Sequence, residues 1–189
     1  IDQRNAGASV ATSSGTSLVG VDRWRFWYSA TSKYTVQQNA GAVTPPTGFK
    51  NYLGVTSNAA TASGSTDYYF IQQAIEGYNI ADLGWGTSSA SSVALSFWVR
   101  SSLTGSFGGS LENSVGNRSY PFQFTINSSN TWEYKTVIVP GETTGAWLTD
   151  NSAGLLVNFN LGVGSARQGT ANTWGAGDYQ APVSYTHLR

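Results

Sequence analysis

The chain has 189 residues, with 10 basic and 10 acidic side chains and no formal net charge. Charged residues make up only 11%, against roughly a quarter in an average globular domain, so the footprint needed to hold nucleic acid or an anionic membrane surface is missing. No cysteine is present, which excludes a disulfide framework and thiolate chemistry, and no apolar run of about 18 residues exists to form a membrane-spanning helix.

Polarity comes instead from Ser, Thr, Asn, Gln and 22 Gly, residues suited to β-turns and neutral hydrogen-bonding surfaces. Residues 1–20 are rich in Ser, Thr, Ala and Gly and read as a lead-in segment or an edge strand. WRFWYSA, residues 24–30, is aromatic and β-prone, and Trp24 and Trp27 are assigned mainly to packing. After a turn-rich stretch, NYLGVTSNA at 51–59 and YYFIQQAIEGY at 68–78 predict strands. The only helix-like candidate is short, around residues 75–83.

The clearest strand is SVALSFWVRSS at 92–102. Val93, Leu95, Phe97 and Val99 point to one side, and Ala94, Ser96, Trp98 and Arg100 to the other. TGSFGGSLENSVGNRS, at 104–119, reads as a glycine-punctuated loop or short ribbon. YPFQFTI places Tyr120, Phe122, Phe124 and Ile126 on one face and Gln123 on the other. In TWEYKTVIVPG, Trp132, Tyr134, Thr136 and Ile138 share a face. LLVNFNLGVG puts Leu155, Val157, Phe159, Leu161 and Val163 inward, with Asn158 and Asn160 outward. Many alternating strands with glycine-rich turns predict an all-β, two-sheet antiparallel sandwich spanning residues 21–183.

Catalytic constellations are scarce. The single histidine, His187, lies near the end, so a Ser–His–acid arrangement has no imidazole in the body of the domain. His and Cys spacing for a catalytic metal is absent. Asp22, Asp67, Glu76, Asp82, Glu112, Glu133, Glu142, Asp150 and Asp178 are spread over turns and strand ends, where carboxylates commonly cap turns. A glycosidase pair would need two of them to converge in a cleft. The expectation is a binding domain, not an enzyme.

Sugars present apolar C–H faces and hydroxyl rims, which call for aromatic rings beside amides and guanidinium groups. Trp98, Arg100, Gln123, Asn158 and Asn160 carry that chemistry on outward strand faces, and Gln73 or Gln72 would join them. If these strands share a sheet, they pave one concave surface; the alternative is that Trp98 packs under a loop. Trp85 in LGWGT, Trp147 in TGAWLTD and Trp174 in NTWGAGDY form a second set. Their flanking glycines allow each ring either to stand at a loop edge or to fold back on the sandwich.

Taken together, DRW-x-FW, QAIEGYNIADLGWGT, the 96–122 stretch and NTWEYKTVIVPGETTGAWLTDN resemble the carbohydrate-binding-module-like jelly rolls found in bacteriophage tail fibres and other virion proteins. The resemblance covers roughly residues 22–179. It implies a galactose-binding-like jelly roll that recognises glycans without catalysis, located in the virion. It also implies a host-surface polysaccharide and other virion subunits as partners, with no nucleic acid and no membrane insertion. No cofactor is implied beyond a possible structural calcium, for which Asp22 and Asp178 are the candidate ligands. Domains of this kind close with a strand reading approximately FYITGVQLE, whereas this chain ends PVSYTHLR. Residues 184–189 are therefore expected to be foreign or truncated sequence and the sandwich to lack its final strand.

Overall fold

The computed structural model describes residues 7–11, 17–58, 60 and 62–183, so the tail at 184–189 lies outside the described residues. In chain order the strands are β1 (Val10–Ala11), β2 (Ser17–Val21), β3 (Trp24–Tyr28), β4 (Tyr34–Gln38), β5 (Leu53–Ser57), β6 (Tyr68–Glu76) and β7 (Val93–Val99). They continue with β8 (Gly105–Asn113), β9 (Arg118–Ile126), β10 (Glu133–Val139), β11 (Ala153–Val163), β12 (Gln168–Gly169), β13 (Gly175–Ala176) and β14 (Ala181–Pro182). The lead-in region thus supplies two strands, β1 against β4 and β2 against β3. The helix-like candidate becomes the end of β6 followed by two single turns of 3-10 helix, Gly77–Asn79 and Ala81–Leu83.

One layer is a seven-stranded antiparallel sheet in the order β13-β9-β8-β11-β6-β3-β2. The facing layer is built from two pieces, β1-β4-β5 and β10-β7. Each piece closes its own part of the core. Val93, Leu95, Phe97, Val137 and Val139 pack on Leu111, Tyr120, Phe122, Leu155 and Val157. Tyr34, Val36, Leu53 and Val55 pack on Phe26, Tyr28, Tyr69, Ile71 and Leu161. Phe159, in the middle strand β11, touches both clusters and meets Phe97 edge-on with ring centroids 4.9 Å apart. The period-2 pattern of β7, β9 and β10 therefore places residues on the predicted faces, because each strand buries one side against the opposite layer.

Two sequence expectations change. Of the loop and ribbon readings of the glycine-punctuated stretch, the structure takes the ribbon and extends it: Gly105–Asn113 is a nine-residue strand hydrogen-bonded to β9 on one side and β11 on the other. Its glycines are there for close approach. A Cβ on Gly109 would lie 2.0 Å from the Asn158 carbonyl, and one on Gly108 would lie 2.4 Å from Pro182 Cδ. Val163, expected inward, faces the other way. A register shift in β11 between Asn160 and Gly162 inserts an extra residue, so Leu161 still enters the core while Val163 packs with Ala181 and Tyr68.

Residues 164–183 form a strap over the outer face of the seven-stranded sheet, apart from β13, which pairs with β9 at the sheet's edge. β12 and β14 pair in parallel within it, Gln180 N–H donates to Arg167 O at 3.0 Å, and Val183 N–H donates to Gly169 O at 3.0 Å.

Candidate functional site

The outer face of the β7–β10 pair is open. Register sets Trp98 opposite Tyr134, Ser96 opposite Thr136 and Ala94 opposite Ile138. Trp98 is 42% exposed, Tyr134 57% and Ile138 63%, unusual values for large apolar side chains on a strand. The Trp98 and Tyr134 rings lie 5.4 Å apart, tilted at 56°. The Ser96 and Thr136 hydroxyls are hydrogen-bonded at 3.1 Å. Arg100 follows two residues after Trp98 and donates from Nε to Asn130 O at 2.9 Å, which anchors its guanidinium to the turn before β10. Cross-strand rows on one face are separated by two residues, so the surface runs about 13 Å from Ile138 to Trp98. It offers apolar rings, hydroxyls and one cation.

The remaining candidates lie elsewhere, which corrects the expectation of one shared surface. Gln123, Asn158 and Asn160 belong to the seven-stranded sheet, on the side turned away from β7. Gln73 pairs with Trp24 and Val157 on the core-facing side of β6. Alternation identifies residues that share a strand face but says nothing about which strands become neighbours, and β7 bonds only to β10 among the described residues.

Asn158 and Asn160 point outward as predicted, yet both are buried. They belong to a continuous polar lane. Trp27 Nε1–H donates to Gln72 Oε1 (2.9 Å), Gln72 Nε2–H to Asn158 Oδ1 (3.0 Å), Asn158 Nδ2–H to Ser110 Oγ (2.9 Å), and Ser110 Oγ–H to Glu112 Oε1 (2.7 Å). The strap completes the lane. The Gln180 amide donates to Glu112 Oε1 at 3.4 Å and also to Asp178 Oδ1, and Asp178 Oδ2 accepts from Arg167 at 2.8 Å. Arg167 in turn sits 4.6 Å from the centroid of the Tyr68 ring. Burial in the first place, and the Asp178 carboxylate in the second, push the Glu112 carboxyl up to about 8. Two acids that look unrelated in the sequence thus meet, but Glu112 is 3% exposed and lies beneath the strap. As for calcium, Asp22 sits in the turn before β3, near the opposite edge of the sheet from Asp178, so the two candidate ligands do not converge.

Trp85, Trp147 and Trp174 fold back. Their rings meet pairwise edge-to-face, with centroids 4.8, 5.4 and 5.6 Å apart. Each indole N–H is taken by a loop carbonyl: Trp85 by Ser91, Trp147 by Thr144 and Trp174 by Pro140. Beneath this cluster Glu142 is buried and ion-paired with Arg118 at 2.7 Å. Burial raises its pKa, but hydrogen bonds from Thr144 and Arg118 outweigh that and leave it lowered. Three loops are stapled together here, so Trp85 and Trp147 serve packing.

The residues missed from sequence are Tyr134, Ser96 and Thr136. Ser96 already shared the face of Trp98 in the strand pattern, and the signal for Tyr134 and Thr136 was present in the outward phase of 134, 136 and 138 against Val137 and Val139, but joining these two to Trp98 needs the β7–β10 register. No protein-family model, curated protein or solved structure matches the chain.

Proposed function

We propose that this domain is a non-catalytic glycan-binding module whose ligand lies along the Trp98–Tyr134 surface. The observation that carries the reading is the paired, exposed aromatic rings on one face with the Ser96–Thr136 hydroxyl pair, with Arg100 two residues after Trp98. Rings of this kind stack on the C–H face of a pyranose, and hydroxyls and guanidinium groups bond its rim. The resemblance to jelly rolls of phage tail fibres supplies the setting: a virion appendage that contacts a host-surface polysaccharide and is held by other virion subunits. Weak single-site binding suits such an appendage, since several copies acting together raise overall adhesion by orders of magnitude.

A second reading, a ligand-free structural or decoration domain, is favoured by the burial of Asn158 and Asn160 in the polar lane and by the inward packing of Trp85 and Trp147. The two readings part on one experiment. The full chain, screened on a bacterial polysaccharide array, is expected to bind. Trp98→Ala is expected to weaken that binding about tenfold or more, a loss of at least about 1.4 kcal/mol, with an unchanged melting temperature because the ring is exposed. No binding by folded protein, or equal binding by Trp98→Ala, selects the structural reading.

A further inference from the structure

We propose a second carbohydrate site, independent of the Trp98 surface, in a cleft of about 340 Å³ formed where the strap crosses β9. Its ligand class is a neutral pyranose, one or two rings long. This goes beyond the reading of the domain as a glycan binder but rests on the same sugar chemistry, at a place the sequence does not single out.

Two aromatic residues line the cleft, Trp174 and Tyr179, and both are held in place before any ligand arrives; the Trp174 ring is already packed against Trp85 and Trp147, so Tyr179 is the ring that offers a stacking face. Trp174 is pinned by its N–H bond to Pro140 O at 2.8 Å and packs on Tyr120 with centroids 5.2 Å apart. The Tyr179 ring lies directly on glycine backbone: a Cβ added to Gly169 would sit 2.9 Å from it, and one on Gly177 would sit 2.7 Å away. Ser119 fixes the tyrosine backbone from behind, accepting from Tyr179 N–H at 3.2 Å and donating to Gly177 O at 2.8 Å. Held this way, the rings lose little freedom on binding. The buried Pro121 and Gly169 form the floor, and the exposed Thr170 and Thr173 bring hydroxyls to the rim.

Charge decides the ligand class. No Asp, Glu, Lys, Arg or His is among the residues that line it. The nearest charges in sequence, Arg167 and Asp178, neutralise each other at 2.8 Å. Nothing here would compensate the desolvation of a phosphate, a uronate or a cation. A neutral molecule with apolar faces and a hydroxyl rim fits, and the volume falls at the small end of ligand pockets, near one or two sugar rings.

The test is amide chemical-shift titration of the isotope-labelled full chain with methyl glycosides of glucose, galactose, mannose and N-acetylglucosamine, and with glucuronic acid. The expected result is saturable shifts at Thr170, Thr173, Gly175 and Tyr179 with at least one neutral glycoside, at millimolar affinity. These shifts should persist in Trp98→Ala. They should weaken about tenfold or more in Thr170→Trp, where an indole at an exposed rim position obstructs the cleft without disturbing the core. The proposal is overturned if folded protein shows no shifts at these residues, if the shifts survive Thr170→Trp unchanged, if Trp98→Ala removes them, or if glucuronic acid binds as well as the neutral sugars. Shifts confined to Trp98 and Tyr134 would likewise reject the cleft while leaving the Trp98 surface standing.

Discussion

Gly109→Ala is expected to destabilise the domain by about 3 kcal/mol or more, a large part of the ~5–15 kcal/mol that holds a typical domain together. The added methyl would lie 2.0 Å from the Asn158 carbonyl oxygen and 2.6 Å from Cζ of Phe122. Neither neighbour can yield cheaply. Asn158 O belongs to the backbone of the strand beside it, and the Phe122 ring is wholly buried among Phe97, Phe124 and Phe159. Relief requires β8 and β11 to move apart at the centre of the sheet. Gly108→Ala makes a contrasting case. Its methyl meets Pro182 at 2.4 Å on the strap side and the Phe122 carbonyl oxygen at 2.9 Å, so the strap can lift and only a smaller shift of β9 is left for the sheet to absorb. The expected order in urea midpoint is wild type, then Gly108→Ala, then Gly109→Ala. A Gly109→Ala midpoint close to wild type would mean that β8 and β11 are not as near as described.

The same glycines explain where the sequence stopped being legible. Strands with a clean apolar alternation, such as 93–99, 120–126 and 133–139, reveal themselves because one face is buried and the other is not. β8 is buried on both faces, under the core on one side and under the strap on the other, so no alternation survives. Its close neighbours then select Gly-Gly, which reads locally as a turn. The flipped Val163 has a similar origin, since a bulge is a property of two paired strands and leaves no mark on one.

The candidate site was legible to the extent that it was local. Trp98 and Arg100 follow from the phase of a single strand. Tyr134 became their neighbour only through the pairing of segments 93–99 and 133–139, with the whole β8–β9 ribbon between them in sequence. Asn158 and Asn160 show the converse. Their outward phase was right, but outward meant solvent only until residues 164–183 were laid across that face. Trp85 and Trp147 had glycine neighbours compatible with either exposure or folding back, and the mutual packing of three indoles decides for folding back.

The strap has its own pH dependence, and Glu112→Gln exposes it. The Glu112 carboxyl has a pKa of about 8 in the folded protein against 4.5 for the unperturbed group, mainly because burial penalises its charged form. A raised folded-state pKa means that the folded state binds the proton more tightly than the unfolded one. The associated stability is fully present below about 4.5 and is lost as pH climbs to about 8. Glu133 and Glu142 work in the opposite direction. Glu133 is lowered to about 2, first by its hydrogen bond from Lys135, and Glu142 is also lowered, so what they contribute is present above their unfolded pKa and lost in acid. The wild-type melting temperature is therefore expected to peak near pH 5 and to fall toward pH 8, by on the order of 3 kcal/mol in stability. Glu112→Gln keeps an acceptor for Ser110 Oγ–H and the Gln180 amide while removing the titration, so its profile should be flat from pH 5 to 8. At pH 8 the variant should be the more stable protein, because there the wild type holds a buried carboxylate beside Asp178. Thermal unfolding of both proteins across this range checks the argument. A wild-type profile that rises from pH 5 to 8, or a Glu112→Gln protein less stable than wild type at pH 8, would show that Glu112 is held as a well-solvated anion.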